Sequence, residues 1–370
     1  MKVKRNILLS PGPATTSDTV KLAQVVPDIP PREKEFGSVM KFVSEHLKKI
    51  SGGDENYTCV LFGGSGTAGV DAVINSVVPP NKKILVINNG IYGERMVKIA
   101  KAYSISYIEL KFEWGKLPDL QKIDDALQND KNIACVSMIH HETTTGMLNP
   151  VREIGEIVKK HDKVFIVDTI SSFACIPFSI KDYKIDFMLS TSNKCIQAMA
   201  GCCFAICKKD ELEKIKDYPK RSFYLNLYDQ YNFFKNNCQM QFTPPVQVIY
   251  ALKQAIMEFE REGAKNRFER YLKSWQTLVR GMEELGFKRL LKGEEESHIL
   301  TTFLDPENPN YDFYKIHDLL YKKGFTIYPG VLSKRATFRL ANMGAINYKD
   351  IENFLKELRD VLLEMDIKLK

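Results

Sequence analysis

Lys194 is the single charged side chain in the stretch FMLSTSNKCIQAMAGCCFAIC, residues 187–207. A lysine in so apolar a run is seldom buried without a partner or a task. Held out of water, its amine becomes a usable nucleophile and base near neutral pH. Asp168 closes another apolar run, VFIVDTISSF, where a carboxylate either caps a helix or faces a buried cation. FGGSGTAGVDAVINSVV joins a strand to a helix through a glycine-rich turn. Backbone N–H groups there, with the Ser65 and Thr67 hydroxyls, suit a phosphate group. In NNGIYGERM, Tyr92 stands between two glycines, placed to stack on a planar ring or simply to pack. MIHHETTTG offers the Thr143 hydroxyl as a hydrogen-bonding group.

Several other chemistries fail on spacing. Gly64, Gly66 and Gly69 spell G-x-G-x-x-G, but a dinucleotide site needs an acidic residue after the next strand. That strand, KKILVINNG, ends in Asn88 and Asn89. No Gly-Lys-Ser/Thr follows, so a P-loop is excluded. His141-Glu142 opens like a zinc-protease helix motif, yet Thr145 stands where the second histidine belongs. Cys195, Cys202, Cys203 and Cys207 lack the paired spacing of a zinc site, so no metal is expected. What remains is a cradle for one phosphate monoester. Lys194, Asp168, GGSGT and Tyr92 together match the needs of pyridoxal 5′-phosphate: an amine for its aldehyde, an acid for its ring nitrogen, a phosphate site and a stacking ring.

The elements that must position these groups are legible as well. YTCVLFG, KKILVIN, SISYIEL, IACVSMIH, KVFIVDT, IDFMLST and CCFAIC read as buried strands. Amphipathic stretches such as ERMVKIAKAY, LQKIDDALQN and VREIGEIVKKH alternate with several of them. The pattern predicts an α/β fold with a mostly parallel, doubly wound sheet, whose strand ends form the ligand site. After about residue 245 the texture changes to long charged helices and short strands, HILTTFL, FTIYPG and ATFRLAN. We expect a large domain over residues 19–245 and a smaller α+β domain from 1–18 and 246–370, with the helix after PPV bridging the two.

Composition narrows the setting. The 370 residues are 44% hydrophobic and 27% charged, as in an ordinary globular protein. The net charge of +7 is spread along the chain, which argues against nucleic-acid binding. No apolar run reaches membrane-spanning length and none reads as a signal peptide. The eight cysteines, with Cys202 beside Cys203 and none after Cys238, form no disulfide framework. They point to a reduced, cytoplasmic setting.

With those blocks in place, the chain resembles the class V (fold type I) aminotransferases. LLSPGPATTSDTV, INNGIYGERM, HHETTTGMLNP, FIVDTISSFACIPFSI, SNKCIQAMAGC, FTPPVQVIYAL, FTIYPG and FRLANMG carry the likeness over essentially the whole chain. It is closest to the branch that exchanges an amino group between an aminophosphonate and pyruvate. The alanine- or serine–glyoxylate branch is the alternative. A cysteine desulfurase is disfavoured, because that chemistry needs a mobile cysteine late in the chain.

The resemblance implies a pyridoxal-phosphate transaminase of small amines and keto acids, with Lys194 and Asp168 catalytic. Ser65, Gly66, Thr67 and Asn193 would hold the cofactor phosphate, Tyr92 would stack on the ring, and Thr143 would bond near the ring hydroxyl. Thr243 of QFTPP would reach the partner's cofactor, making a homodimer with shared sites. Arg339 of TFRLAN would bind the substrate's anionic group, for which a planar guanidinium is suited. Arg32, in PDIPPREKEFG, is either an added anion contact or a surface arginine.

Overall fold

The computed structural model describes residues 4–330 and 336–369. All seven strands expected from the apolar runs form, and they join one sheet. Its order is Tyr57–Gly63, Cys202–Lys208, Phe187–Thr191, Val164–Asp168, Ile133–Ile139, Lys83–Asn88 and Tyr107–Lys111. Cys202–Lys208 runs antiparallel to both its neighbours, and the remaining pairings are parallel. The near-continuous apolar runs have a simple cause: both faces of the sheet are covered. Leu85, Val136, Met138, Phe165 and Val167 face one core. Ile84, Val86, Cys135, Ile166 and Leu189, the alternate residues, face the other.

Helices Lys34–Ile50, Leu120–Asn129 and Val151–Lys160 seal the first face through Met40, Ile123 and Ile154. Helices Gly66–Val77 and Ile91–Ala102 seal the second through Val73 and Met96. Helix Val246–Glu262 packs Ile249, Leu252 and Ile256 into the first core and also contacts helix Ala264–Glu284. Helix Lys34–Ile50 was not among the helices anticipated from the sequence.

A second sheet, Lys288–Arg289, Leu300–Leu304, Thr337–Ala341 and Tyr328–Pro329, is antiparallel throughout. Its core gathers Phe303, Phe338 and Leu340 with Leu278, Phe354 and Leu358 of two long helices, and with Ile7 and Leu9. FTIYPG was expected as one strand and divides into two. Phe325–Thr326 pairs in parallel with Ile7–Leu8, while Tyr328–Pro329 pairs with Thr337–Ala341. The chain changes partner at the buried Ile327, because one short run cannot bridge two separate sheets.

Register matters most for the site. Ile139, Asp168 and Leu189 lie side by side across three parallel strands, so the loops that follow leave the sheet at one level. Helix Val151–Lys160 packs on strand Val164–Asp168 and on the segment that follows it, and Gly155 lies at that contact. A methyl group there would sit 2.4 Å from the Tyr183 carbonyl oxygen. Gly155→Ala should therefore destabilise the fold by roughly 1–3 kcal/mol, exceeding the ~1 kcal/mol that alanine adds in a helix. A lowered urea midpoint at unchanged slope is the expected result.

Candidate active site

Lys194 lies in the turn after strand Phe187–Thr191. Its amine donates to the Pro11 carbonyl oxygen. Gly12 is required at this spot: its φ is +131°, and a Cβ would lie 2.6 Å from the Lys194 Nζ. Desolvation pulls the Lys194 pKa down to about 8, with the charges of Arg339 and Arg95 adding to the effect while Cys195 and Asp168 oppose it. The turn itself is held from far away in sequence. Arg267 donates to the Cys195 carbonyl at 3.1 Å. Gln197, in the left-handed region at φ 66°, donates to the Tyr271 hydroxyl and to the Gly344 carbonyl at 2.9 Å.

Asp168 ends its strand in the adjacent position, and its Oδ1 accepts from the Ile170 N–H at 2.7 Å. Burial raises its pKa to about 6, although that hydrogen bond and the charges of Arg95 and Lys194 favour ionisation. The same Ile170 packs on the phosphate cradle: a Cβ on Gly66 would meet the Ile170 Cδ1 at 2.7 Å. The carboxylate turn and the cradle are thus pressed together, and only glycine fits between them. Ser65 occupies the N-cap of helix Gly66–Val77 without a side-chain capping bond. Its hydroxyl and the helix N–H groups point to a role outside the helix.

Helix Ile91–Ala102 carries Tyr92 in its first turn. Its start is anchored by the third loop. The Ile91 N–H donates to the Thr144 Oγ1 at 3.1 Å, and Thr144 in turn donates to Glu142 through both its N–H and its hydroxyl. Burial pushes Glu142 up to about 7, and its Oε2 has no partner. Thr143 is buried, and its carbonyl accepts from Arg339 Nη1 at 3.3 Å. Arg339, on strand Thr337–Ala341, also donates to the Pro329 carbonyl at 3.2 Å, while its buried Nε has no partner among the described residues. Burial lowers its pKa, whereas Tyr92 and Glu142 raise it. Two residues before Thr143, His141 donates from Nδ1 to the Ser171 carbonyl, which leaves Nε2 an acceptor with no partner among the described residues. Desolvation, opposed by that bond, lowers its pKa to about 4.

Asn193 sits beside the lysine, and its Oδ1 accepts from the Thr191 hydroxyl at 2.9 Å. Two expected residues lie elsewhere. Thr243 stands exposed beside Phe242, whose ring lies 5.2 Å from Tyr224 and 5.5 Å from Phe223. Arg32 is exposed and folds onto residues 239–241, donating to the Met240 carbonyl at 2.8 Å and the Gln241 carbonyl at 2.9 Å. It lies over the Phe233 ring, so within one chain it steadies the segment before Thr243. Arg95 was overlooked in the sequence, although it follows Tyr92 by three helical positions and so shares its face.

The donor set fits pyridoxal 5′-phosphate. A buried carboxylate awaits a positive charge, an amine faces a lone carbonyl, and orphaned polar atoms on Arg339, His141 and Glu142 surround them. Sequence comparison agrees with that chemistry. The Aminotransferase class-V family model matches residues 20–340, and the chain belongs to that family. It is therefore a fold type I enzyme, of a family that works with pyridoxal phosphate. It is similar to the 2-aminoethylphosphonate–pyruvate transaminase of Bacillus cereus (strain ZK / E33L), at 39% identity over 95% of this chain and 96% of that protein. A protein of the same name from Phocaeicola vulgatus is 38% identical over 96% of this chain and 98% of its own length. Among solved structures, ureidoglycine-glyoxylate aminotransferase from Bacillus subtilis superposes with a TM-score of 0.90 at 24% identity, over 100% of this chain and 96% of that one. An alanine–glyoxylate aminotransferase from Nostoc sp. gives 0.90 at 23%, over 98% and 96%. These two establish the shared fold.

The raised Asp168 pKa has a measurable consequence. With 3.8 as its ordinary value and about 6 in the fold, the stability is intact below the lower value and is lost as pH rises through the higher. Above pH ~7 the empty site carries a penalty on the order of 3 kcal/mol. Asp168→Asn keeps the acceptor for Ile170 and removes the charge. The cofactor-free variant should be more stable than wild type at pH 8 by up to that amount, with the gap closing toward pH 4, while turnover falls at least ~100-fold. Denaturant titrations at several pH values check it.

Proposed function

We propose that this chain is a transaminase that moves the amino group of 2-aminoethylphosphonate to pyruvate, giving phosphonoacetaldehyde and alanine, or runs that exchange in reverse. The observation that carries the reading is the Lys194 amine, lowered to about 8, beside the buried Asp168. The identity of 38–39% over nearly the full length of the named relatives supports the choice of substrates.

Pyridoxal phosphate supplies an aldehyde that takes up amines and a ring that accepts an electron pair. The chain supplies the rest. Ser65, Gly66, Thr67 and Asn193 would hold the phosphate, and Asp168 would keep the ring nitrogen protonated. Tyr92 would pack against the ring and Thr143 would bond near its hydroxyl. Lys194 Nζ, whose proton affinity burial lowers, would carry the proton that leaves one carbon and arrives at another. Arg339 would bind the carboxylate of pyruvate or alanine and the phosphonate of the other partner in turn. A desolvated, planar guanidinium is suited to such exchange.

Lys194→Ala should retain the fold and lose the yellow colour and all exchange. Arg339→Ala should lower kcat/KM for both substrates by about 30- to 1000-fold, the equivalent of ~2–4 kcal/mol. A coupled assay with a panel of amines against pyruvate and glyoxylate checks both variants. A preference for glyoxylate with alanine or serine would transfer the chain to the other branch.

A second copy of the chain completes the site in this reading. Phe223, Tyr224 and Phe242 form an aromatic patch, and Phe223 is 81% exposed. The Tyr224 hydroxyl lies 3.4 Å from the Gly63 carbonyl, at the head of the phosphate turn. Exposed aromatics of this kind mark interfaces, and Thr243 stands among them. All eight cysteines are free, in keeping with a cytoplasmic setting, and among the described residues no helix is long and apolar enough to cross a membrane. Phe223→Asp should shift a homodimer toward monomer and weaken cofactor retention together. Light scattering that found an active wild-type monomer would refute the shared site.

A further inference from the structure

Among the described residues the guanidiniums of Arg339 and Arg95 bear on Lys194, and the scheme above gives Arg95 no part. Its position is specific. The guanidinium carbon lies 4.7 Å from the centre of the Tyr92 ring, and Nη1 donates to the Thr67 Oγ1 at 3.1 Å. Its charge also reaches Asp168. Arg95 therefore touches both the candidate stacking ring and a hydroxyl of the candidate phosphate turn.

Charge balance gives that position a purpose. A phosphate monoester carries between one and two negative charges near neutral pH. Ser65, Gly66, Thr67 and Asn193 carry none, and the start of helix Gly66–Val77 contributes about half a positive charge. Arg32, the other cation considered for an anion, has its guanidinium on the carbonyls of residues 240 and 241. Arg221 likewise donates to the Asn75 and Val78 carbonyls. An arginine has five N–H donors, and the bond to Thr67 occupies one.

We propose that Arg95 is the cation of the phosphate cradle: it recognises the phosphate ester of the cofactor while holding Thr67 and Tyr92 in position. The inference rests on the pyridoxal-phosphate reading of the site. It makes Arg95 the residue that separates pyridoxal 5′-phosphate from its dephosphorylated form, pyridoxal.

The test uses the full-length chain freed of cofactor, as wild type, Arg95→Gln and Arg95→Lys. Each is titrated with pyridoxal 5′-phosphate and with pyridoxal by absorbance and intrinsic fluorescence. Arg95→Gln should bind the phosphorylated form about 10- to 100-fold more weakly and pyridoxal with a much smaller loss, that of the Tyr92 packing alone. Arg95→Lys, which keeps the charge and loses the fork, should fall between. Inorganic phosphate should compete with pyridoxal 5′-phosphate more effectively in wild type than in Arg95→Gln. If the glutamine variant does not fold, the lysine variant carries the comparison, with a several-fold loss for the phosphorylated form alone. Unchanged affinity for pyridoxal 5′-phosphate overturns the proposal, and so does an equal loss for both aldehydes, which would mean ring support without phosphate recognition. A raised KM for the anionic amine at unchanged cofactor affinity also overturns it, assigning Arg95 to the substrate. A wild-type chain that bound neither aldehyde would refute the cofactor reading itself, and this inference with it.

Discussion

Removing an amine and a carboxylate from water at neighbouring strand ends is the condition on which this site depends. Desolvation lowers Lys194 to about 8 and raises Asp168 to about 6. In water the two groups would differ far more in pKa, and neither would exchange a proton readily near neutrality. Burial narrows that gap, and the protein accepts less stability in return. The guanidiniums around the pair keep the balance. Arg339 and Arg95 depress the lysine further, while Arg95 and Lys194 together limit how far Asp168 rises.

Water can be excluded because the surrounding turns meet at distances that no side chain larger than hydrogen allows. Gly66 lies against Ile170, Gly12 against the lysine amine, and Gly90 against the Glu142 carboxylate, where a Cβ would fall 2.2 Å from Cδ. Each glycine joins one loop of the rim to another. The loops are therefore a single packed layer above the sheet, backed by Tyr271 and Arg267 on helix Ala264–Glu284. Fixed geometry of this kind is what electrostatic assistance to a reaction requires.

Much of this was legible in the chain, and the reason is local. The strands read as continuous apolar runs because the sheet is covered on both faces, and Lys194 and Asp168 stood out as charges at the ends of such runs. What escaped notice depends on contacts distant in sequence. FTIYPG looked like one strand because its alternation is uniform, and only the two sheets flanking Ile327 divide it. Arg32 stayed open between an anion contact and a surface arginine because no sequence feature shows that the carbonyls of residues 240 and 241 lie across from it. Arg95 was visible as a helical neighbour of Tyr92, but its value comes from Thr67, which another loop supplies. The support from Tyr271 to Gln197 has no sequence signature.

The bond between the Lys194 amine and Pro11 has an implication for how the molecule is made. Pro11 lies just beyond Ile7–Leu8, the strand that pairs with Phe325–Thr326, and Arg339 comes from the same part of the chain. As synthesis proceeds, the large sheet can form once residue 208 has emerged. The amine's roof and its neighbouring guanidinium must wait for more than a hundred further residues. Contacts this distant along the chain form late. The lowered proton affinity of the lysine, which comes from burial, is therefore completed only when those residues dock.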